Sequence, residues 1–269
     1  MLVSVIMRTF NRACVVSRAI HSVLAQTYED FELLVVDDAS TDETVSIVQS
    51  YAEHDSRISV FTRSKNSRKQ RPQAEPMNDG LRRCRGAYIT HLDDDNVWHP
   101  DFLKVAVRAL EQNEKMAVCY SDTCNHLSPT RLLKYISVDN RQFSFVGNLC
   151  FVAPHLSRFE PLKINATGFS YNDYIDTNEM VLRAEAMGKV GNRWIPHPKA
   201  QEISRSQGKE FLYRTHADMY LVERIVAKFG PQACQYVPGV LCHHVEHTHP
   251  RHLDPDFDPI LDARAQGLE

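Results

Sequence analysis

The chain has 269 residues, 43% of them hydrophobic, and its 34 acidic and 31 basic residues leave a formal net charge of −3. That length and apolar content can bury a full core, as one large domain or a domain with a subdomain, and the near-neutral balance gives no reason to expect nucleic-acid binding. Seven cysteines without a Cys-x-x-Cys pair favour reduced thiols in a cytoplasmic setting, and no leader or run near the ~20 apolar residues of a membrane span is read, which leaves only a peripheral membrane contact open.

An apolar strand, Leu2 to Met7, opens the chain and runs through Arg8-Thr9-Phe10-Asn11-Arg12 into a helix. Val15, Val16, Ala19, Ile20, Val23 and Leu24 share one face of that helix. The next strand, Phe31 to Val36, is almost continuously apolar, as suits a parallel strand buried on both faces, and ends in Asp37-Asp38. Ser40 followed by Glu43 has the spacing of a capping box, so a helix is predicted there, with Ile47, Val48 and Tyr51 buried. Ile58 to Phe61 is a third strand. Residues 63 to 71 are basic: Arg63, Lys65, Arg68, Lys69 and Arg71. A helix from about Ala74 to Arg85 precedes a strand containing Tyr88, Ile89 and Leu92. Alternating strands and helices predict a Rossmann-like α/β fold with a mostly parallel central sheet flanked by helices. Ligands of such sheets bind beyond the carboxyl ends of the strands. Thr9 to Arg12, Asp37 and Asp38, and Asp93 to Asp95 then share one rim.

Three adjacent carboxylates, Asp93, Asp94 and Asp95, repel one another unless positive charge lies between them. In an extended backbone Asp93 and Asp95 point to the same side. They offer hard oxygen ligands of the kind magnesium or manganese takes while keeping positions open for phosphates. A plain solvated acidic loop is the competing reading. No Gly-x-Gly-x-x-Gly and no Gly-Lys-Ser/Thr loop is present, so phosphate must be met through a metal or through the basic loop.

Together these motifs resemble glycosyltransferase family 2, with its A-type nucleotide-sugar-binding fold. The opening strand and Arg8-Thr9-Phe10-Asn11-Arg12 are similar to the family's first strand and Pro-Thr-Tyr-Asn-Arg turn. Ser22 to Tyr28, Asp37 to Asp42, Asn78 to Leu81, Arg85 to Ile89 and Asp93 to Asp95 follow in the family's order. The run from Tyr88 to Pro100 looks most like the spore-coat polysaccharide transferase branch. The resemblance implies that Thr9, Phe10, Asn11 and Arg12 line the base and ribose. It implies that Asp38 meets the imide of uracil or thymine, that Asp93 and Asp94 lie near the ribose, and that Asp95 binds Mn²⁺ or Mg²⁺. Arg8 stands where the family usually has Pro, and Met77 where many relatives carry an Arg facing the diphosphate. Arg71, with Arg68 or Lys69, is the expected substitute.

After about residue 125 the resemblance thins. Residues 1–122 are expected to form the nucleotide-sugar half, 123–252 a mixed acceptor-side half of the same domain, and 253–269 a tail. Residues 123 to 170 mix short strands with turns, and Gly168 to Asn172 is expected to be a flexible loop. Asp173 to Ala184 resembles the helix start that carries the family's general base. Asp176 takes that role and Asp173 is the alternative; Asp176 can also serve as a helix N-cap. Lys209 to Phe229 reads as a long helix closed by Gly230-Pro231, and Tyr236 to Cys242 as a closing strand. His243-x-x-Glu246-His247 matches an inverted zinc-protease motif, but that motif needs a helix and the segment is bracketed by Pro238, Gly239 and Pro250. In the resemblance His247 completes the metal shell and the other histidines of this stretch are expected at the surface. The tail with Asp254, Asp256 and Asp258 is not expected to be a second cation site. The expected activity is metal-dependent inverting transfer from a UDP- or dTDP-sugar to a saccharide or other hydroxyl acceptor. A retaining transferase, a silent sugar-nucleotide-binding module and a zinc hydrolase are the alternatives.

Overall fold

The computed structural model describes residues 1–67, 74–126, 143–146, 149–152, 164–165, 168–169, 177–195, 217–245 and 251–266. In chain order its strands are β1 (Val3–Thr9), β2 (Phe31–Asp37), β3 (Ile58–Thr62), β4 (Tyr88–His91), β5 (Val97–Trp98), β6 (Val118–His126), β7 (Phe143–Val146), β8 (Leu149–Val152), β9 (Ile164–Asn165), β10 (Gly168–Phe169), β11 (Met180–Arg183) and β12 (Cys234–Val245). The helices are α1 (Val16–Leu24), α2 (Thr44–His54), α3 (Ala74–Leu81), α4 (Phe102–Gln112), α5 (Ala184–Lys189), α6 (Ala217–Phe229) and α7 (Pro259–Ala265). The main sheet runs β3-β2-β1-β4-β11-β6-β12-β5. Its first four strands are mutually parallel, so the expected α/β architecture is found and the carboxyl ends of β1, β2 and β4 form one rim. β11 then enters antiparallel to both β4 and β6.

Period-two alternation divides the core between the two faces of the sheet. Val3, Val5 and Met7 of β1 pack with Val16, Ala19, Ile20 and Val23 of α1 and with the buried face of α4. Ile6 turns to the other side, against Met77 and Leu81 of α3. Burying each such aliphatic side chain contributes about 1.5–3 kcal/mol. Two motif glycines permit this closeness. A Cβ on Gly80 would lie 2.4 Å from Ile6 Cγ2, and one on Gly86 2.6 Å from the Ser4 amide. The buried Glu32 carboxylate is satisfied by the Ser4 hydroxyl at 2.6 Å, the Arg85 amide at 2.8 Å and the Arg85 guanidinium at 2.7 Å.

Several expected elements differ. α3 stops at Leu81 rather than Arg85, because the amide of Arg83 bonds back to Gly80 and the chain turns toward Gly86. The capping box does not form: the Ser40 hydroxyl accepts from the Asn11 amide instead, and Asp42 accepts from the Thr44 amide where α2 begins. The expected helix start at Asp173–Ala184 is, from Thr177, a 3₁₀ turn followed by strand β11; a helix begins only at Ala184. Met180 to Leu182 are buried on both faces of the sheet, which an apolar run of that length satisfies as well as a helix would. Of the expected loop at 168–172, Gly168 and Phe169 pair with Asn165 and Ile164 in a short antiparallel ladder, and the rest lies outside the described residues. Of the long helix only Ala217–Phe229 lies in the described residues, and it ends before Gly230 (φ 85°) as expected. The closing strand is longer than expected and carries His243 into the sheet.

Candidate functional site

Two loops at the rim are laced together by their own short polar side chains. Asn11 adopts a left-handed φ of 51°, and its side-chain carbonyl accepts from the Thr41 amide at 2.8 Å. The Arg12 amide donates to the Thr44 hydroxyl at 2.8 Å and the Ala13 amide to Asp42 at 3.2 Å. Ala39 is also left-handed (φ 63°), and the Ser40 amide donates to Asp37 at 3.1 Å. Thr9 is buried, Phe10 and Arg12 are half-buried and Asn11 is exposed, so these four line the rim while several of their polar groups build it. Asp38 is buried, and both its oxygens accept from Ser67: its amide at 3.0 and 3.1 Å and its hydroxyl at 2.7 Å. Burial outweighs these bonds and the nearby Arg63, so the Asp38 carboxyl is raised above its ordinary value.

The three aspartates do not continue β4 in extended form. The Asn96 amide bonds to the Asp93 carbonyl at 3.2 Å, closing a turn. The expected common orientation of Asp93 and Asp95 is therefore not formed, because a turn breaks the period-two alternation on which it rested. Asp93 pairs with Arg8 at 2.7 Å, while Asn178 takes its backbone amide at 2.6 Å and donates to its carboxylate at 3.1 Å. Burial opposes the Asp93 charge, but Arg8 and Asn178 outweigh it and hold the carboxyl below its usual range. Arg8, the departure from the family's proline, is thus the counter-ion of the first aspartate.

Asp94 and Asp95 face Arg12, at 3.4 and 3.8 Å. Burial and the adjacent Asp95 push the Asp94 carboxyl up to about 7. Opposite Asp95 lies His252, with Nε2 3.8 Å from Oδ2. His252 Nδ1 is 3.0 Å from the Val245 carbonyl, which can only accept; Nδ1 therefore carries a hydrogen, and Nε2 is the ring atom on the Asp95 side. The surrounding arm is held in place. Arg18 donates to the carbonyls of Asp95, His252 and Asp254 at 3.0–3.3 Å.

The donor set fits a divalent cation. A carboxylate oxygen and an imidazole nitrogen 3.8 Å apart can share one ion, since two bonds of about 2.1 Å span at most about 4.2 Å. In the same turn Asn96 Oδ1 is buried with no hydrogen-bond partner among the described residues. His252 was missed by sequence reasoning, which placed the histidines near it at the surface. It is 5% exposed and His243 3%. His247 and Arg71 lie outside the described residues, as do Asp173, Asp176, Arg68 and Lys69. His243 to Val245 are in a strand, so the helix a zinc-protease motif requires is not formed there. The tail is an ordered arm: Asp258 caps α7, accepting from the Ile260 and Leu261 amides.

Other motif residues are structural. Asn78 exchanges two hydrogen bonds with the Trp194 backbone, at 2.8 and 3.1 Å. Met77 is buried in the core. Arg63, the described part of the basic loop with Lys65, pairs with Asp79 at 3.1 Å and Asp38 at 3.4 Å. Among the described residues no helix is long and apolar enough to cross a membrane.

The fold has parallels among known proteins. Staphylococcus aureus TarS in complex with UDP-GlcNAc superposes with a TM-score of 0.62 at 16% identity, covering 96% of this chain and 62% of that one. The mannosyltransferase PcManGT from Pyrobaculum calidifontis, in complex with GDP-Man and Mn²⁺, gives 0.55 at 20% identity, covering 93% and 57%. In sequence, the putative teichuronic acid biosynthesis glycosyltransferase TuaG of Bacillus subtilis is 39% identical over 103 residues, which is 38% of this chain and 39% of TuaG. A Campylobacter jejuni GalNAc(5)-diNAcBac-PP-undecaprenol beta-1,3-glucosyltransferase is 41% identical over 93 residues, 35% of this chain and 29% of that protein. The matched stretch thus spans less than half of either curated relative. The profile described as Glycosyl transferase family 2 matches residues 4–183, most of the sheet and all of the aspartate rim, and the chain belongs to that family.

Proposed function

We propose that this chain is an inverting glycosyltransferase that moves a sugar from a UDP- or dTDP-sugar to the hydroxyl of a saccharide or other acceptor, with Mn²⁺ or Mg²⁺ held by Asp95 and His252. The observation that carries this reading is the meeting of Asp95 and His252 across 3.8 Å on the rim where the parallel strands end. His247, which lies outside the described residues, is the other candidate for that role; the position of His252 beside Asp95 supports His252. The ion, when bound, supplies positive charge against the departing diphosphate. Arg12 keeps Asp94 and Asp95 close together. Thr9, Phe10, Asn11 and Arg12 line base and ribose with Asp93 and Asp94, and Asp38 takes the imide through lone pairs beyond those used by Ser67. Arg71 meets the diphosphate. Asp176, or else Asp173, removes the acceptor proton. Residues 1–122 then serve the donor and 123–252 the acceptor.

Calorimetry and product analysis test this reading. UDP or dTDP binds at least about tenfold tighter than ADP, because adenine leaves the buried Asp38 without its imide partner, at a cost of about 1–3 kcal/mol. Manganese strengthens UDP binding, and the product has the anomeric configuration opposite to the donor's. Equal affinities for UDP and ADP remove Asp38 from the role. Retention of configuration rejects the inverting mechanism.

A further inference from the structure

A second cluster of ligating side chains lies apart from the aspartate rim. Cys124 and His126 extend from β6 and His243 from β12, all three buried, with their donor atoms within 4.8 Å of one another. His126 Nε2 is 3.2 Å from His243 Nδ1 and 4.0 Å from Cys124 Sγ. Two nitrogens bound to one tetrahedral zinc at about 2.0–2.1 Å are about 3.3 Å apart, and a nitrogen and a thiolate about 3.6 Å apart, so the cluster needs only small adjustments to close on an ion. His126 Nδ1 is 3.1 Å from the Asp262 carboxylate on α7. A carboxylate only accepts, so Nδ1 carries the hydrogen and the lone pair of the neutral ring is on Nε2, the atom facing the other two donors. This is the carboxylate–histidine arrangement that orients a metal-bound imidazole.

We propose that Cys124, His126 and His243 form a buried site for a thiolate-binding divalent ion, zinc above all, with Asp262 orienting His126 and a water completing the four positions. Binding exchanges the Cys124 proton for the metal, so one proton is released per ion from that thiol. The donor set distinguishes this site from the rim: thiolate and imidazole select zinc, whereas Asp95 with phosphate oxygens suits manganese or magnesium. Its consequence is positional. Asp262, and Phe257 packed edge-on against His126 at 5.6 Å, belong to the arm that also carries His252. An ion at the cluster fixes the strand end and His126, and with them the arm that presents His252 to Asp95.

The test uses the full chain, stripped with a chelator and titrated with Co²⁺ under reducing conditions. The expected result is one cobalt per chain, with tetrahedral visible bands and a thiolate-to-cobalt charge-transfer band, all displaced by one equivalent of zinc. Cys124→Ser loses the charge-transfer band, and His243→Gln weakens cobalt binding at least tenfold. Circular dichroism establishes that each variant is folded. If Cys124→Ser does not fold, the wild-type band and its response to His243→Gln decide. A folded wild type without a thiolate band overturns the proposal and makes the cluster a hydrogen-bonded histidine pair only. So does a band that survives His243→Gln at full affinity.

Discussion

The two ends of the sheet are built by different means. In β3-β2-β1-β4 and its rim, most polar side chains are spent on one another: Asn11 on Thr41, Thr44 on Arg12, Ser67 on Asp38, Glu32 on Ser4 and Arg85. In the other half, β11, β6 and β12 bring together residues far apart in sequence, and the side chains at their ends are donors with lone pairs: His126, His243 and, on the arm, His252. The contrast teaches that the motif-rich half supplies an interlocked platform carrying Asp94 and Asp95, while the half with weak motifs supplies His252, which faces Asp95. Substitutions among the interlocked polar side chains of the first should register mainly as stability, whereas those at Asp95 and in the second half should register mainly as chemistry.

The largest expected effect tests the second half. Asp176→Asn lowers transfer by about 10²–10⁴-fold, the usual worth of a general base, with nucleotide affinity and melting temperature unchanged. A variant that transfers normally moves the role to Asp173→Asn, and if both are silent the base lies elsewhere.

Arg8→Ala comes next and tests the platform. It leaves the Asp93 carboxylate, 27% exposed, without its counter-ion, at an expected cost of about 1–3 kcal/mol in urea unfolding. An unchanged midpoint would show that Asn178 alone satisfies Asp93.

Glu32→Gln should cost a similar or smaller amount, about 1–2 kcal/mol at neutral pH, with a pH signature. Burial opposes the charge of Glu32, but bonds from Ser4 and Arg85 outweigh it and depress its folded-state value. The unfolded state therefore takes up a proton first as pH falls. The stabilisation is complete above the unfolded value of about 4.3 and is lost as pH falls toward the folded one. Stability curves of wild type and variant should converge in acid; parallel curves would refute the assignment.

The smallest effect is at Asn11. Asn11→Gly keeps the left-handed turn and loses the bond to Thr41, about 0.5–1.5 kcal/mol. Asn11→Ala adds backbone strain and should melt lower than the glycine variant. The reverse order would mean that φ does not matter there.

What was legible follows the same division. The strands β1 to β4 and the aspartate rim could be read because each motif is local: a strand, a turn and the first residues of a helix within about ten positions. Even there the roles of Ser40 and Asn78 were not visible, since each bonds a segment distant in sequence. Met180 to Arg183 resembles part of a helix start, and three apolar residues followed by an arginine carry no decisive period against that reading. α4 shows a clear apolar stripe, Phe102, Leu103, Ala106, Val107 and Leu110, and its periodicity could have revealed it. His252 had no such signal. Its place depends on the Arg18 bonds that fold the arm back onto the rim, and nothing in the Pro250-Arg251-His252-Leu253 stretch encodes them.

The claim that the two halves share one ion is tested most directly by a double-mutant cycle on UDP binding, measured with and without manganese. Asp95→Asn and His252→Gln should each remove most of the manganese enhancement, and the double variant should lose no more than either alone, because both act on the same ion. Losses that simply add, or a full enhancement remaining in His252→Gln, would contradict the account.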